Sequence, residues 1–263
     1  MKNNMRKIIF AVFACLFALL QPVTAQNKDK YEEWGPLNGK DWGCLLRTGY
    51  ILGGTTPMPL PAEIRSIGQY RPQGGFTVHF DAYKMFNKRY GVMSGVHYFM
   101  EGMFTGAEVE NYAMGIQMGE DYLEGRFTGT DETESFMAGF TIPVMATFRL
   151  SPRWNMNVGP YASFLIYRLF EGSVYDGYLR VGDPTGEKVE ISKENPATYD
   201  FSDDMRRVLW GMEIGFDWKA TKRLTTFASL DWGMNSIFKR NFETVAFPMY
   251  PFYATFGIAY LLF

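Results

Sequence analysis

The residues best suited to chemistry are two histidines, each an even number of positions from an acid: His79 with Asp81, and His97 with Glu101. Side chains two or four apart on a β-strand share one face. If these stretches are strands, each imidazole and its carboxyl project together. Two imidazoles and two carboxyls form a conceivable cation ligand set, although spacings of two and four select no particular metal. A lipid-modifying hydrolase would also need a Ser nucleophile near the outer rim, and none can be placed beside these histidines. Five further charges, Arg149, Glu213, Asp217, Lys219 and Asp231, sit in comparable stretches. The plainest reading is a buried polar network, with the acids paired to Arg149, Lys219 and Arg47, because buried charges persist only when partnered. A narrow gated pore is the competing reading.

The elements that hold these residues are read from alternation. The stretch Phe136–Phe148 carries no charge, is too short for a membrane helix, and contains Pro143. One parity runs Phe136, Ala138, Phe140, Ile142, Val144, Ala146, Phe148, Leu150; the other is small or polar, with two methionines. That is a strand with one oily face. Seven other segments show strand character: Cys44–Gly54, Gly75–Phe86, Tyr90–Phe104, Trp154–Phe170, Arg207–Ala220, Arg223–Met234 and Pro251–Phe263. The first alternates weakly and the sixth in chain order, Arg207–Ala220, most clearly.

Short connections at Asn87-Lys88-Arg89, Ser151-Pro152-Arg153 and Thr221-Lys222 alternate with long ones at Thr55–Gly74, Thr105–Ser135, Glu171–Arg206 and Asn235–Tyr250. Short turns on one side and long loops on the other mark a transmembrane barrel. The stretch "GDPTGEK" in the third long connection lacks Walker spacing and reads as a turn.

The first 25 residues read as a signal peptide, with Lys2, Arg6 and Lys7 before the apolar run Ile8–Leu20 and a small-residue site at Val23-Thr24-Ala25. Residues 26–42 form a short polar periplasmic lead, and 43–263 the barrel. Cleavage after Ala25 removes three positive charges and takes the formal charge from −2 to about −5. Such a chain carries no nucleic-acid footprint. Only Cys44 then remains, so neither an intrachain disulfide nor a cysteine-based metal site is available. No cofactor and no catalytic role is expected.

Charge decides which way the oily face points. Arg or Lys at the lipid midplane costs roughly 2–4 kcal/mol, so His79, Asp81, His97, Glu101, Arg149, Glu213, Asp217, Lys219 and Asp231 belong in the barrel interior and the apolar parity faces lipid. Aromatics recur eight residues apart on that parity: Tyr90/Tyr98, Phe140/Phe148, Trp210/Trp218 and Phe252/Tyr260. Eight residues of tilted strand cover roughly 20 Å of the barrel axis, close to the height of the lipid-facing band, which suits two aromatic girdles. Phe263 ends the last strand and resembles the terminal signal read by outer-membrane insertion machinery.

The segment "FTIPVMATFRL" followed by "NVGPYASFLI" resembles the PorT-like, porin-like outer-membrane barrels of Bacteroidetes, which carry an Ile-Pro-aliphatic strand, a tight turn and a Gly-Pro-Tyr strand. The resemblance is motif-level over Phe140–Ile166 and pattern-level over Leu45–Phe263. It implies an eight-stranded antiparallel transmembrane β-barrel in the outer membrane. It says little about activity, although the founding member takes part in protein secretion. One departure concerns the end of the chain: Tyr260 lies on the parity opposite Phe263, so the last residues are expected to break regular alternation. The partners expected are outer-membrane lipid, the insertion machinery and an unidentified envelope or surface protein, met through the loops.

Overall fold

A computed structural model describes residues 41–119, 121–242, 244 and 247–262. The segment expected to be a signal peptide, most of the expected polar lead and Phe263 lie outside them. The chain runs β1 (Trp42–Pro57), β2 (Ile64–Pro72), β3 (Gly75–Met85), β4 (Tyr90–Met118), β5 (Asp121–Arg149), β6 (Trp154–Val181), β7 (Lys188–Ile191), β8 (Ala197–Asp200), β9 (Val208–Lys219), β10 (Leu224–Gly233) and β11 (Met249–Leu261). Eight of these close an antiparallel ring, β1–β3–β4–β5–β6–β9–β10–β11, with β11 returning to β1 from Leu45↔Leu261 to Pro57↔Met249. Strand β2 continues β3 along β4, while β7 and β8 pair above the ring with β6.

The pleat sorts side chains as the alternation implies. Along β3, Thr77, His79, Asp81 and Tyr83 turn inward and are buried, while Phe76 and Phe80 are exposed on the outer face. All eight girdle residues point outward. Tyr90 lies beside Phe148 and Tyr98 beside Phe140; Trp218 faces Trp154, Trp210 faces Ala162, and Phe252 faces Trp232. Tyr260, like Trp210, has no aromatic neighbour in register. It stands between Leu46 on β1 and Leu224 on β10, and its hydroxyl accepts from Arg223 Nη1 at 3.3 Å. Alternation holds through Leu262, with Tyr260 exposed, Leu261 buried and Leu262 exposed, while Phe263, on which the expected lapse turned, lies outside the described residues. The pleat persists because Leu261 stays paired with Leu45, whose inward side chain packs in the same cluster. Pro143 sits inside β5 without an N–H to donate. The β4–β5 ladder lapses there, between Ser94↔Val144 and His97↔Thr141, and Ser94 Oγ donates to the Pro143 carbonyl at 2.7 Å.

The three short turns share one device. A side-chain oxygen at the turn's start accepts from the backbone N–H groups two and three residues on: Asn87 from Arg89 and Tyr90, Ser151 from Arg153 and Trp154, and Thr221 from Arg223 and Leu224.

The long connections differ from expectation. Most of Thr105–Ser135 is strand, because β4 and β5 are each 29 residues long and pair almost to their shared turn. At about 3.3 Å per residue and roughly 40° of tilt, such a strand rises about 70 Å, far beyond the roughly 25 Å lipid-facing band. Much of Glu171–Arg206 likewise joins the sheet as the end of β6, β7 and β8. Alternation failed to reveal this because the register slips. Between Val109 and Tyr112 a bulge with Asn111 at φ 55° swaps the parity, so Met103 and Val109 face inward below it and Tyr112, Met114 and Ile116 above it. The interior is therefore layered. A small apolar cluster of Leu45, Tyr83, Met85, Met93, Met145 and Leu261 fills the turn end, polar side chains fill the middle, and a large apolar core fills the extension.

Candidate functional site: a charged crossbar in the barrel

Arg47 is the hub of the middle layer. It projects inward from β1, whose own inward face is otherwise apolar at Leu45 and Ile51. Its Nη1 donates to Asp217 Oδ1 at 2.8 Å, and its Nε lies 2.9 Å from Asp81 Oδ2 as an ion pair. The chain continues on either side. Asp81 Oδ1 meets His97 Nε2 at 2.8 Å, and the His97 ring stacks on His79 with centroids 3.6 Å apart. On the far side Asn157 Nδ2 donates to Asp217 Oδ2 at 2.8 Å, and Thr147 Oγ1 donates to Asn157 Oδ1 at 2.9 Å. The Phe227 ring packs beneath the guanidinium, 5.2 Å from its carbon. Side chains from seven of the eight ring strands thus form one bar across the lumen.

Of the three cations expected to pair with the acids, Arg47 takes Asp81 and Asp217, and the expectation for Arg149 needs correction. Arg149 lies at the turn end of β5, opposite Asn155, and its Nε and Nη2 find no hydrogen-bond partner among the described residues. Lys219 is buried in the same turn-end region. Glu101, Glu213 and Asp231 stand higher, around a cavity of about 50 Å³ lined also by Tyr161 and Tyr253. Among the described residues no cation lies within ion-pair distance of these three carboxyls.

His79, Asp81 and His97 bring ligand-capable atoms within 4.8 Å of one another. Their chemistry fits a metal poorly. Asp81 already spends one oxygen on His97 and faces Arg47 with the other, and a cation held there would sit against the guanidinium charge. Glu101, placed with them by sequence, belongs to the upper cavity.

A second polar group escaped the sequence reading. In the extension, Tyr199 on β8 donates its hydroxyl to Asp131 Oδ1 at 2.8 Å and shares a 2.7 Å hydrogen bond with Thr133 on β5. Burial pushes the Asp131 carboxyl up to about 7, against the opposing hydrogen bond from Tyr199, and burial also raises the Tyr199 phenol. These residues edge a larger cavity of about 330 Å³ whose walls are mostly apolar. Nothing in the local sequence marks this triad, because Tyr199 lies 66 positions from Thr133 and 68 from Asp131.

Among solved structures the chain is similar to Neisserial surface protein A (12% identity, 84% of this chain and 97% of that one, TM-score 0.35). It is also similar to Ail, the attachment invasion locus protein of Yersinia pestis (8%, 85% and 100%, TM-score 0.34). A third is the outer membrane protein OprG of Pseudomonas aeruginosa (9%, 85% and 97%, TM-score 0.33). No curated protein sequence matches it. A family model described as an outer membrane protein beta-barrel domain matches residues 24–239, most of the chain, and the protein therefore belongs to that family of outer-membrane β-barrels.

Proposed function

We propose that the protein is a non-conducting, non-enzymatic component of the outer membrane that works by contact, presenting the tall β4–β5–β6 extension to an envelope or surface partner. The crossbar centred on Arg47 carries this reading. It spans the lumen between an apolar core above and a smaller apolar cluster below, which supports a filled interior. In planar bilayers the purified protein should pass no steady current; sustained ion flux would overturn the proposal. The narrow-channel alternative draws on the three unpaired carboxyls around the upper cavity, and it requires Arg47 to release one of its acids. A lipid-modifying activity would show as a lipid change lost in His79→Ala or His97→Ala, and none is expected.

The finer kinship with PorT-like barrels, and with it an accessory role in secretion or surface assembly, is supported by the motif at Phe140–Ile166. Its two halves lie side by side, Pro143 opposite Tyr161 across β5 and β6. Proximity labelling from the tip of the β4–β5 hairpin in living cells tests it: recurrent labelling of envelope assembly proteins is expected, and labelling of lipid alone would count against it. Export with cleavage after Ala25 belongs to the same reading, and the N-terminal residue of the mature protein checks it.

A further inference from the structure

The barrel wall opens beside the upper part of β1. Strand β1 pairs with β3 only up to Ile51↔Gly75. Above that level β1 continues along β11 to Pro57, while β2 stays with β4, so Leu52–Pro57 and Ile64–Pro72 face each other without a ladder. Both sides of the split begin at glycine in a conformation other residues rarely adopt, Gly53 at φ 148° and Gly74 at φ 39°. Side chains stitch the gap instead. The Tyr70 hydroxyl donates to the Gly53 carbonyl, and the Thr55 N–H donates to Met103 Sδ at 3.2 Å. A backbone amide resting on a thioether is a weak substitute for a ladder bond.

The 330 Å³ cavity lies directly behind this split. Four of its lining residues are also strongly exposed outside: Leu60 55%, Ile67 54%, Tyr70 49% and Phe252 45%. Side chains that line a cavity and the outer surface together mark its mouth. Phe252 belongs to the upper aromatic girdle and pairs with Gly54 across the β1–β11 ladder, so the mouth stands at the level of the outer-leaflet headgroups. Inward, the cavity shares no lining residue with the smaller one beneath it. Its polar pole is Asp131 and Thr133 on β5 with Tyr199 on β8, and Asp131 is level by register with Ala107 on β4 and Ile67 on β2.

We infer that this cavity binds a single-chain amphiphile with an uncharged hydroxyl head, admitted sideways from the outer leaflet through the split between β1 and β2. Size and charge select the occupant. The volume lies at the low end of small-molecule sites, roughly 300–1,000 Å³, enough for one chain and too small for a two-chain lipid. The Asp131 carboxyl offers a hydrogen bond to a hydroxyl and disfavours an anionic head, and the mostly apolar walls penalise any charged head that must shed its water. The cavity shares no lining residue with the crossbar or with the polar cavity beneath it, so its occupancy does not require the barrel to conduct.

The test uses the full-length protein in lipid nanodiscs, since detergent would compete for the cavity, with a diazirine-bearing dodecanol as probe. After irradiation, adducts should map to Met103, Met114 or Met249. Excess unlabelled dodecanol should reduce them at least tenfold and dodecanoate should not. Ala107→Trp, which fills the cavity, should give a similar loss, while Tyr70→Phe, which removes the stitch, should speed labelling several-fold. Adducts confined to outward positions such as Phe256 and Leu230, or indifferent to dodecanol, overturn the site. Competition by dodecanoate as strong as by dodecanol overturns the head assignment, and an unchanged labelling rate in Tyr70→Phe overturns the lateral route. The competition arm needs no variant and stands even if Ala107→Trp fails to fold.

Discussion

The stretch of barrel inside the membrane and the extension above it share the same strands but are filled by opposite means. Within the membrane the outer face is apolar, so the interior must take the polar residues, and Arg47, Asp81, Asp217, Asn157 and His97 occupy one another there. In the extension the outer face meets water, and the interior is an aromatic and aliphatic core around Phe127, Phe170, Phe201 and Phe238. Solvent inverts the pattern halfway up β4, β5 and β6 without interrupting their pairing. The lower half depends on electrostatic matching of few groups, and the upper half on packing of many.

That contrast can be broken from either side. Arg47→Met should have the largest effect. It leaves Asp81 and Asp217 buried without their cation, and removing one member of a buried pair costs about 3–5 kcal/mol. Loss of heat-resistant folded protein on unboiled gels is the measurement, and adding Asp81→Asn and Asp217→Asn should restore much of it. Leu179→Ala, in the extension core, should cost roughly 2–5 kcal/mol, but locally. Limited proteolysis should then cut the extension while the membrane-embedded strands stay protected. Uniform destabilisation of the whole barrel by this change would show that the two halves are one cooperative unit.

A pH series sharpens the comparison further. Asp131 titrates near 7 in the folded extension and near 4 in an unfolded chain. The unfolded state therefore releases its proton first, and local stability should fall as pH rises from about 4 to 7 and level off above. Protease resistance of the extension should be higher at pH 5 than at pH 8, and Asp131→Asn should flatten the difference. The smallest effect belongs to the exposed Arg65–Glu110 pair at 2.8 Å, where Arg65→Ala should change stability by less than about 1 kcal/mol.

How much was legible in the sequence follows the same division. Where lipid forces strict alternation, as in β3, β5 and β9, parity placed His79, Asp81, Glu213 and Asp217 on the inward face. It also put Phe252 and Tyr260 on the outer face of β11, where both are exposed. It failed to single out the hub, because the inward face of β1 is apolar on either side of Arg47 and the alternation looked weak. It failed again above the membrane, where the bulge at Asn111 shifts the register and neither face is uniformly apolar, so paired strand read as loop. The Asp131–Tyr199–Thr133 group and the split beside Gly53 depend on which strands meet in space, which no local pattern encodes.

Arg47 also has a bearing on how the ring is completed. It stands on the first strand, and its acids stand on β3 and on β9, with Asp217 170 residues away in the chain. The first of these comes into reach as soon as β1 and β3 pair; the second does so only once β11 has docked on β1. Until that last seam forms, Asp217 has no guanidinium partner and belongs in water. Only the closed ring therefore brings Arg47 to both acids, so the crossbar ties the first strand to the strands that are last in the chain.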